Sequence, residues 1–254
     1  MNRITIVAIG LMGLTSAGLA TADVTKEETM SFEIDANGRF SLDNVNGDIV
    51  IDGAAGNTIE VTAIKRANSE KDLQRIDILI DADSDRVSIE TKYEKEDRWF
   101  GWGDSNGSVE YRVSVPATIS LDAVETVNGD VEVEGMDGKI KAATVNGDIE
   151  ITGIVGDVNL DTVNGTIEAQ FSRLGGRQRA ILDTVNGRIE VTLPADADAS
   201  VSADTVNGSI RGGDFGLEVD KSGFVGKEMQ GDIGSGSARL KMDTVNGAIR
   251  LNKG

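Results

Sequence analysis

The chain of 254 residues has no cysteine, no histidine, two prolines and only 4% aromatic residues. Without cysteine there can be no disulfide, no thiol nucleophile and no lipid-modified N-terminal cysteine. Without histidine, His-based triads, the commonest general base and most zinc sites are excluded. Positive charge is also scarce: 25 Lys and Arg stand against 43 Asp and Glu, a formal charge of −18. Nucleic-acid binding rests on basic residues neutralising phosphates, so that partner class is excluded, and anionic membrane surfaces fall by the same logic. No glycine-rich phosphate loop ending in Lys-Ser/Thr is present. Neither a cofactor nor a resident metal is expected.

Glycine, by contrast, is plentiful, with 31 residues, and it is placed with regularity. The stretch Thr126-Val127-Asn128-Gly129 recurs with the same four residues beginning at Thr144, Thr162, Thr184, Thr205 and Thr244. An early variant reads Asn44-Val45-Asn46-Gly47, and every copy has Ile or Val two residues beyond its glycine. The central copies are 18 residues apart, and Gly129, Gly138, Gly147, Gly156 and Gly165 keep a period of nine. Apolar residues alternate between the glycines, which is the strand period. The glycines are expected to supply positive-φ corners. Asn-Gly is also a hairpin signal, so an antiparallel meander or sandwich competes. Self-similarity at a short fixed period favours stacked coils.

The expected fold is therefore all-β: a right-handed parallel β-solenoid with coils of about 18–22 residues. Val131, Val133, Ile140, Ile149, Ile151, Val158 and Leu160 should face its narrow interior. Asn46, Asn128, Asn146, Asn164, Asn186, Asn207 and Asn246 should stack as a ladder of side-chain amides at the turn. Removing Asn146 is expected to cost about 1–3 kcal/mol if neighbouring buried groups lose partners. Asn46 should matter less, its ladder being interrupted.

The first residues carry Arg3, an apolar run from Ile4 to Ala20 and the Ala20-Thr21-Ala22 site, the pattern of a secretory signal peptide. The expected division is residues 1–22 signal peptide, 23–123 a less regular N-terminal β region or cap, and 124–254 the regular repeat solenoid. Export to the periplasm or cell surface follows, with no stable membrane insertion after cleavage. The last inward residues are Ile249 and Leu251, and the coil edge they form should be covered by the glycine-rich 212–236 span or pair end to end with a second copy.

Three constellations invite a functional reading. Asp81, Asp83 and Asp85 have the opening spacing of a calcium loop, but Arg86 and Lys92 stand where Gly and Glu are needed, so a polar turn is expected. Trp99, Phe100 and Trp102 form an aromatic cluster, either a lid or a binding patch for sugar, peptide or membrane interface. Asp161, Asp183, Asp204 and Asp243 each precede a repeat threonine. Such acids could line a carbohydrate-active site, though a regular solvent-facing period is the simpler account.

Tyr111-Arg-Val-Ser-Val-Pro116-Ala-Thr-Ile-Ser-Leu121, the Thr126-Val-Asn-Gly-Asp130 repeats, and Gly234-Ser-Gly236 before Asn246-Gly247 resemble one bacterial family. It is the β-strand-repeat family of unknown function often labelled "putative adhesin", similar to head domains of auto-transporter adhesins. The resemblance spans the chain after the signal and implies a cell-envelope or extracellular β-helical module without assigned catalytic residues. The expected function is a non-enzymatic adhesin-like binding or structural module whose partner is an envelope protein or glycan. The alternative is a carbohydrate-active β-helix enzyme using surface carboxylates.

Overall fold

A computed structural model describes residues 23–94, 107–221 and 226–254. The expected signal peptide, residues 1–22, and the aromatic cluster Trp99, Phe100 and Trp102 lie outside the described residues. Those residues are all-β apart from one short helix and one 3-10 turn, and nineteen strands join in a single hydrogen-bonded sheet.

The N-terminal part supplies β1 (Val24–Glu33), β2 (Arg39–Asp43), β3 (Ile49–Ala54) and β4 (Thr58–Ala67), then α1 (Glu70–Leu73), β5 (Ile76–Asp83), β6 (Arg86–Tyr93) and β7 (Gly107–Pro116). Ser69 caps α1, its side chain accepting from the Asp72 amide at 3.2 Å, which satisfies a free helix-end donor. Here the parallel expectation holds only in part. β1, β4 and β7 pair antiparallel in that order, and β5 and β6 form an antiparallel hairpin. β2 lies parallel to β6 and β3 parallel to β7, so this region passes from antiparallel to parallel pairing.

The repeats supply β8 (Ser120–Glu125), β9 (Val131–Glu134), β10 (Ile140–Asn146), β11 (Ile149–Ile154), β12 (Val158–Asn164), β13 (Ile167–Phe171), β14 (Arg179–Asn186) and β15 (Ile189–Leu193). They build two parallel ladders, β2-β8-β10-β12-β14 and β3-β9-β11-β13-β15. Consecutive strands of the repeats do not pair with one another, as a hairpin meander would require. The register follows the repeat: Thr162 faces Thr144 and Thr184, and Ile167 faces Ile149 and Ile189. A one-residue slip would turn every inward Ile to solvent. Ile149, Ile151, Leu160, Ile167, Leu182 and Ile189 are fully buried, and the other expected inward residues are buried with them.

The corner glycines have the expected positive φ only in part. It occurs at Gly47 and Gly129 (φ +116° and +159°), and at Gly135 and Gly153 outside the repeat motif, but not at Gly147, Gly165 or Gly187. At those three, a Cβ would sit 1.9, 1.8 and 1.7 Å from the carbonyl oxygen of the glycine on the neighbouring rung. Close approach of stacked backbones, rather than φ, excludes any side chain there.

The last strands are β16 (Ala199–Arg211), β17 (Val219–Lys221), β18 (Lys227–Ile233) and β19 (Ala238–Lys253). Their order in space is not their order in sequence. β19 pairs in parallel with β14 and β15 on one side and with β16 on the other. The expectation that Ile249 and Leu251 form the last coil is therefore corrected: β16 lies outside them. From the 212–236 span, β18 pairs antiparallel with β16 and β17 with β18. Asp214 accepts from the Lys253 amide at the end of β19, and Lys253 lies over the Phe215 ring, so the span covers β16 and also touches the end of β19.

Candidate functional site

The repeat turns out to be a device with three faces. Its threonine points inward and is buried in all six full copies. The hydroxyls of Thr144, Thr162 and Thr184 donate to the carbonyls of Gly129, Gly147 and Gly165 on the adjacent rung at 3.0–3.1 Å. The asparagine lies at the exposed turn, where the side-chain amides form one chain of bonds of 2.8–3.0 Å. It runs from Asn46 through Asn128, Asn146, Asn164, Asn186 and Asn246 to Asn207. Asn46 is thus a hydrogen-bonded terminal rung and not part of an interrupted ladder.

Because Asn146 and Asn164 are exposed, the larger loss expected from buried partners does not apply to them. Asn164→Ala should lower stability by about 0.5–1.5 kcal/mol, the net worth of exposed hydrogen bonds. Thr162→Val, isosteric but unable to donate to the Gly147 carbonyl, should cost about 1–3 kcal/mol. Urea denaturation of the two variants checks the order, and a costlier asparagine would reverse this assignment.

The valine between them points outward. Val127, Val145, Val163, Val185, Val245 and Val206 occupy six successive rungs and are 38–48% exposed. Two residues before each valine, on the same outward face, runs a second row. Following the strand register, it reads Glu90, Asp43, Glu125, Ala143, Asp161, Asp183, Asp243, Asp204, Glu228. The fold thus brings the four expected aspartates onto adjacent rungs, about 4.8 Å apart. Val163, Val185, Val245 and Val206 together with the four aspartates line a groove of about 650 Å³, with Gly226 and Lys227 also on its wall. Among the described residues no aromatic ring lines it.

Like charges directly opposite one another across strands are unfavourable, and the groove shows it. Burial, with Asp243 and Asp161 on either side, raises the pKa of Asp183. Burial raises that of Asp161 too, against the pull of Lys141 and the hydrogen bond from Asn159. Asp43 is raised by burial and by Glu125 and Glu90. Lys241 pairs with Asp243, yet Asp243 Oδ1 is buried without a hydrogen-bond partner. A raised carboxylate pKa means that the charge opposes folding at neutral pH and that the penalty fades as pH falls toward the ordinary Asp range. Asp183→Asn should therefore stabilise the protein at pH 7, on the order of 0.5–1 kcal/mol for the relieved cross-strand repulsion. The gain should shrink near pH 4 and in high salt. Thermal melts across pH check this, and a gain that grew on acidification would contradict it.

Other acids are occupied structurally. Asp48 accepts from the Asp130 amide, Asp130 from the Asp148 amide, and Asp148 from the Thr166 amide, at 2.7–3.0 Å. Asp198 accepts from the amides and hydroxyls of Ser235 and Ser237, which holds its pKa down to about 2. That clamp gives Gly234-Ser235-Gly236 its place beside the corner before β16. Asp81 and Asp83 lie on β5 and Asp85 at the turn to β6, and no metal-binding cluster of His, Cys, Asp or Glu occurs among the described residues. Sequence reasoning picked out the aspartates but passed over the valines. Their signal was an apolar residue recurring on the same face as an acid.

Residues 37–252 match the profile of the Toastrack DUF4097 family. A solved structure of a "putative cell adhesion protein" from Clostridium sporogenes is similar over 91% of this chain and 100% of its own, with a TM-score of 0.53 at 15% identity. A "putative adhesin" from Bacteroides fragilis aligns over 89% of this chain and 97% of its own, with a TM-score of 0.42 at 12% identity. Among curated proteins no match is found.

Proposed function

The chain belongs to the Toastrack DUF4097 family, and from its outer face we propose that it is a non-catalytic binding module of the cell envelope. The observation that carries this reading is the row of six exposed valines beside a row of acids. An apolar stripe rimmed by charge is the composition of an interaction surface. A carbohydrate-active site needs two carboxyls with opposed duties, one raised and one left ionised. The four groove aspartates instead stand as equivalent members of one regular row across adjacent strands, which favours binding over hydrolysis.

In this reading the coils wind right-handed, as parallel crossovers do. Residues 23–123 close one end, and residues 124–254 form the regular binding face. Among the described residues no helix is long and apolar enough to cross a membrane. Residues 1–22 direct export, so mass spectrometry of protein recovered from cells should show a chain beginning at Asp23. A chain retaining Met1 would sink the export reading.

The binding reading is tested by chemical cross-linking to envelope extracts. Capture should drop with Val163→Thr combined with Val185→Thr and persist with Trp99→Ala combined with Trp102→Ala. The reverse pattern would move the binding site to the aromatic cluster. Loss with neither pair would overturn the module reading for both surfaces.

A further inference from the structure

The groove's dimensions narrow the class of partner, and the argument rests on the binding reading above. Valines recur along the row at the strand spacing of about 4.8 Å, so its six rungs extend about 24 Å, and Val163, Val185, Val245 and Val206 of that row line the groove. An extended peptide lying along them presents same-face residues about 6.6–6.8 Å apart and falls out of step within two rungs. A helix presents a new turn about every 5.4 Å and stays near the rungs for several turns, and about 16 residues cover the row. The acid row lies two strand residues from the valine row, about 6.6–6.8 Å away, within the width of one helix with its side chains. Its charge asks for a cationic flank, and its valines ask for an apolar stripe. Sugar recognition would favour an aromatic platform, and among the described residues no aromatic ring lines this groove. An anionic lipid surface would be repelled by the acid row.

We propose that the groove receives a basic amphipathic α-helix of a partner protein, laid along the strand stack with its apolar stripe on Val163, Val185 and Val245 and its Lys or Arg flank over Asp161, Asp183 and Asp204. This is the helix-in-groove mode of recognition, here on the face of a sheet whose rungs are locked by the threonine and asparagine bonds. Little reordering is then needed on the protein side, which lowers the cost of association.

The test uses fluorescence anisotropy with a peptide of about 18 residues, long enough for the row, built of leucine and lysine on adjoining helical faces. A scrambled peptide of the same composition is the control. The amphipathic peptide should bind the folded protein at least tenfold more tightly than the scrambled one. Val163→Thr with Val185→Thr should weaken it at least tenfold, as should Asp161→Asn with Asp183→Asn and Asp204→Asn. The acid variant should also lose most of its salt dependence. All five positions are outward-facing, and thermal melts confirm that the variants fold. Equal binding of the two peptides, or no effect of the valine changes, would reduce the attraction to bulk charge and overturn the proposal. If the helical peptide fails while the valine variants still lose cross-linked capture from extracts, the helix assignment falls and the binding module stands. If neither experiment responds to the valines, both fall.

Discussion

A chain shortened to end at Ser237 is expected to lose most of its stability instead of shedding a last coil. The deleted β19 is an interior rung, held by β14 and β15 on one side and by β16 on the other. Its Leu240, Met242, Ile249 and Leu251 are no more than 2% exposed. At about 1.5–3 kcal/mol for each large buried side chain, the loss is on the order of 6–12 kcal/mol. Native domains hold only about 5–15 kcal/mol in total. β16 could retreat onto β14, but it would bring Val201 and Ala203 to the places of Leu240 and Met242, leaving the interior underfilled. Hydrogen exchange should show β16 and β18 unprotected, and urea should unfold the remainder early. A shortened chain within about 2 kcal/mol of the parent, the effect of an ordinary point mutation, would refute the interior placement.

Gly165→Ala should be nearly as damaging, although it adds a single methyl. The new Cβ would lie 1.8 Å from the Gly147 carbonyl oxygen and 2.6 Å from its carbon. Both are backbone atoms of a paired rung, so no side chain can swing aside. Relief requires the two rungs to separate at the corner, where the Thr162–Gly147 and Asn164–Asn146 bonds hold them together. A loss of at least about 3 kcal/mol is expected, at the upper end of overpacking effects. Gly176→Ala is the control: its Cβ would meet nothing within 4 Å, although its φ of +69° carries some strain. Equal losses at the two sites in urea denaturation would mean that conformation, not stacking, selects the corner glycines.

What could be read in advance was whatever repeats. Alternation placed Ile149, Ile151 and Leu160 inside because a strand has two faces and only one meets the core. The asparagines were legible because identical side chains on successive rungs can pair only with each other. Direction of pairing was not legible at β1, β4 and β7, since alternation is the same for parallel and antiparallel neighbours. The glycine's task was legible only in part: φ is a local property and is positive at Gly47 and Gly129, whereas at Gly147, Gly165 and Gly187 the atom that excludes a Cβ belongs to the next rung. In the repeat, Thr rather than Val faces inward. Hydropathy alone would have chosen the opposite, but the carbonyl beneath each threonine satisfies its hydroxyl. The exposed valine row, and with it the groove, follows from that choice. The aspartates were recognised as regular, but their accumulation on one ladder needed the rung order of β14, β19 and β16.

That rung order also sets a schedule for assembly. A chain made from its N-terminus presents β16 before β19, although β19 belongs nearer the completed stack. β16 carries the same Thr-Val-Asn-Gly as its neighbours, so nothing in its corner chemistry forbids it from settling first on β14 and β15. Such a docking would be a near-native trap of the kind internal repeats invite. In the native fold that seat belongs to β19, and β16 lies one place further out. The smaller Val201 and Ala203 would fit the inner seat poorly, and the larger Leu240 and Met242 of β19 fill it.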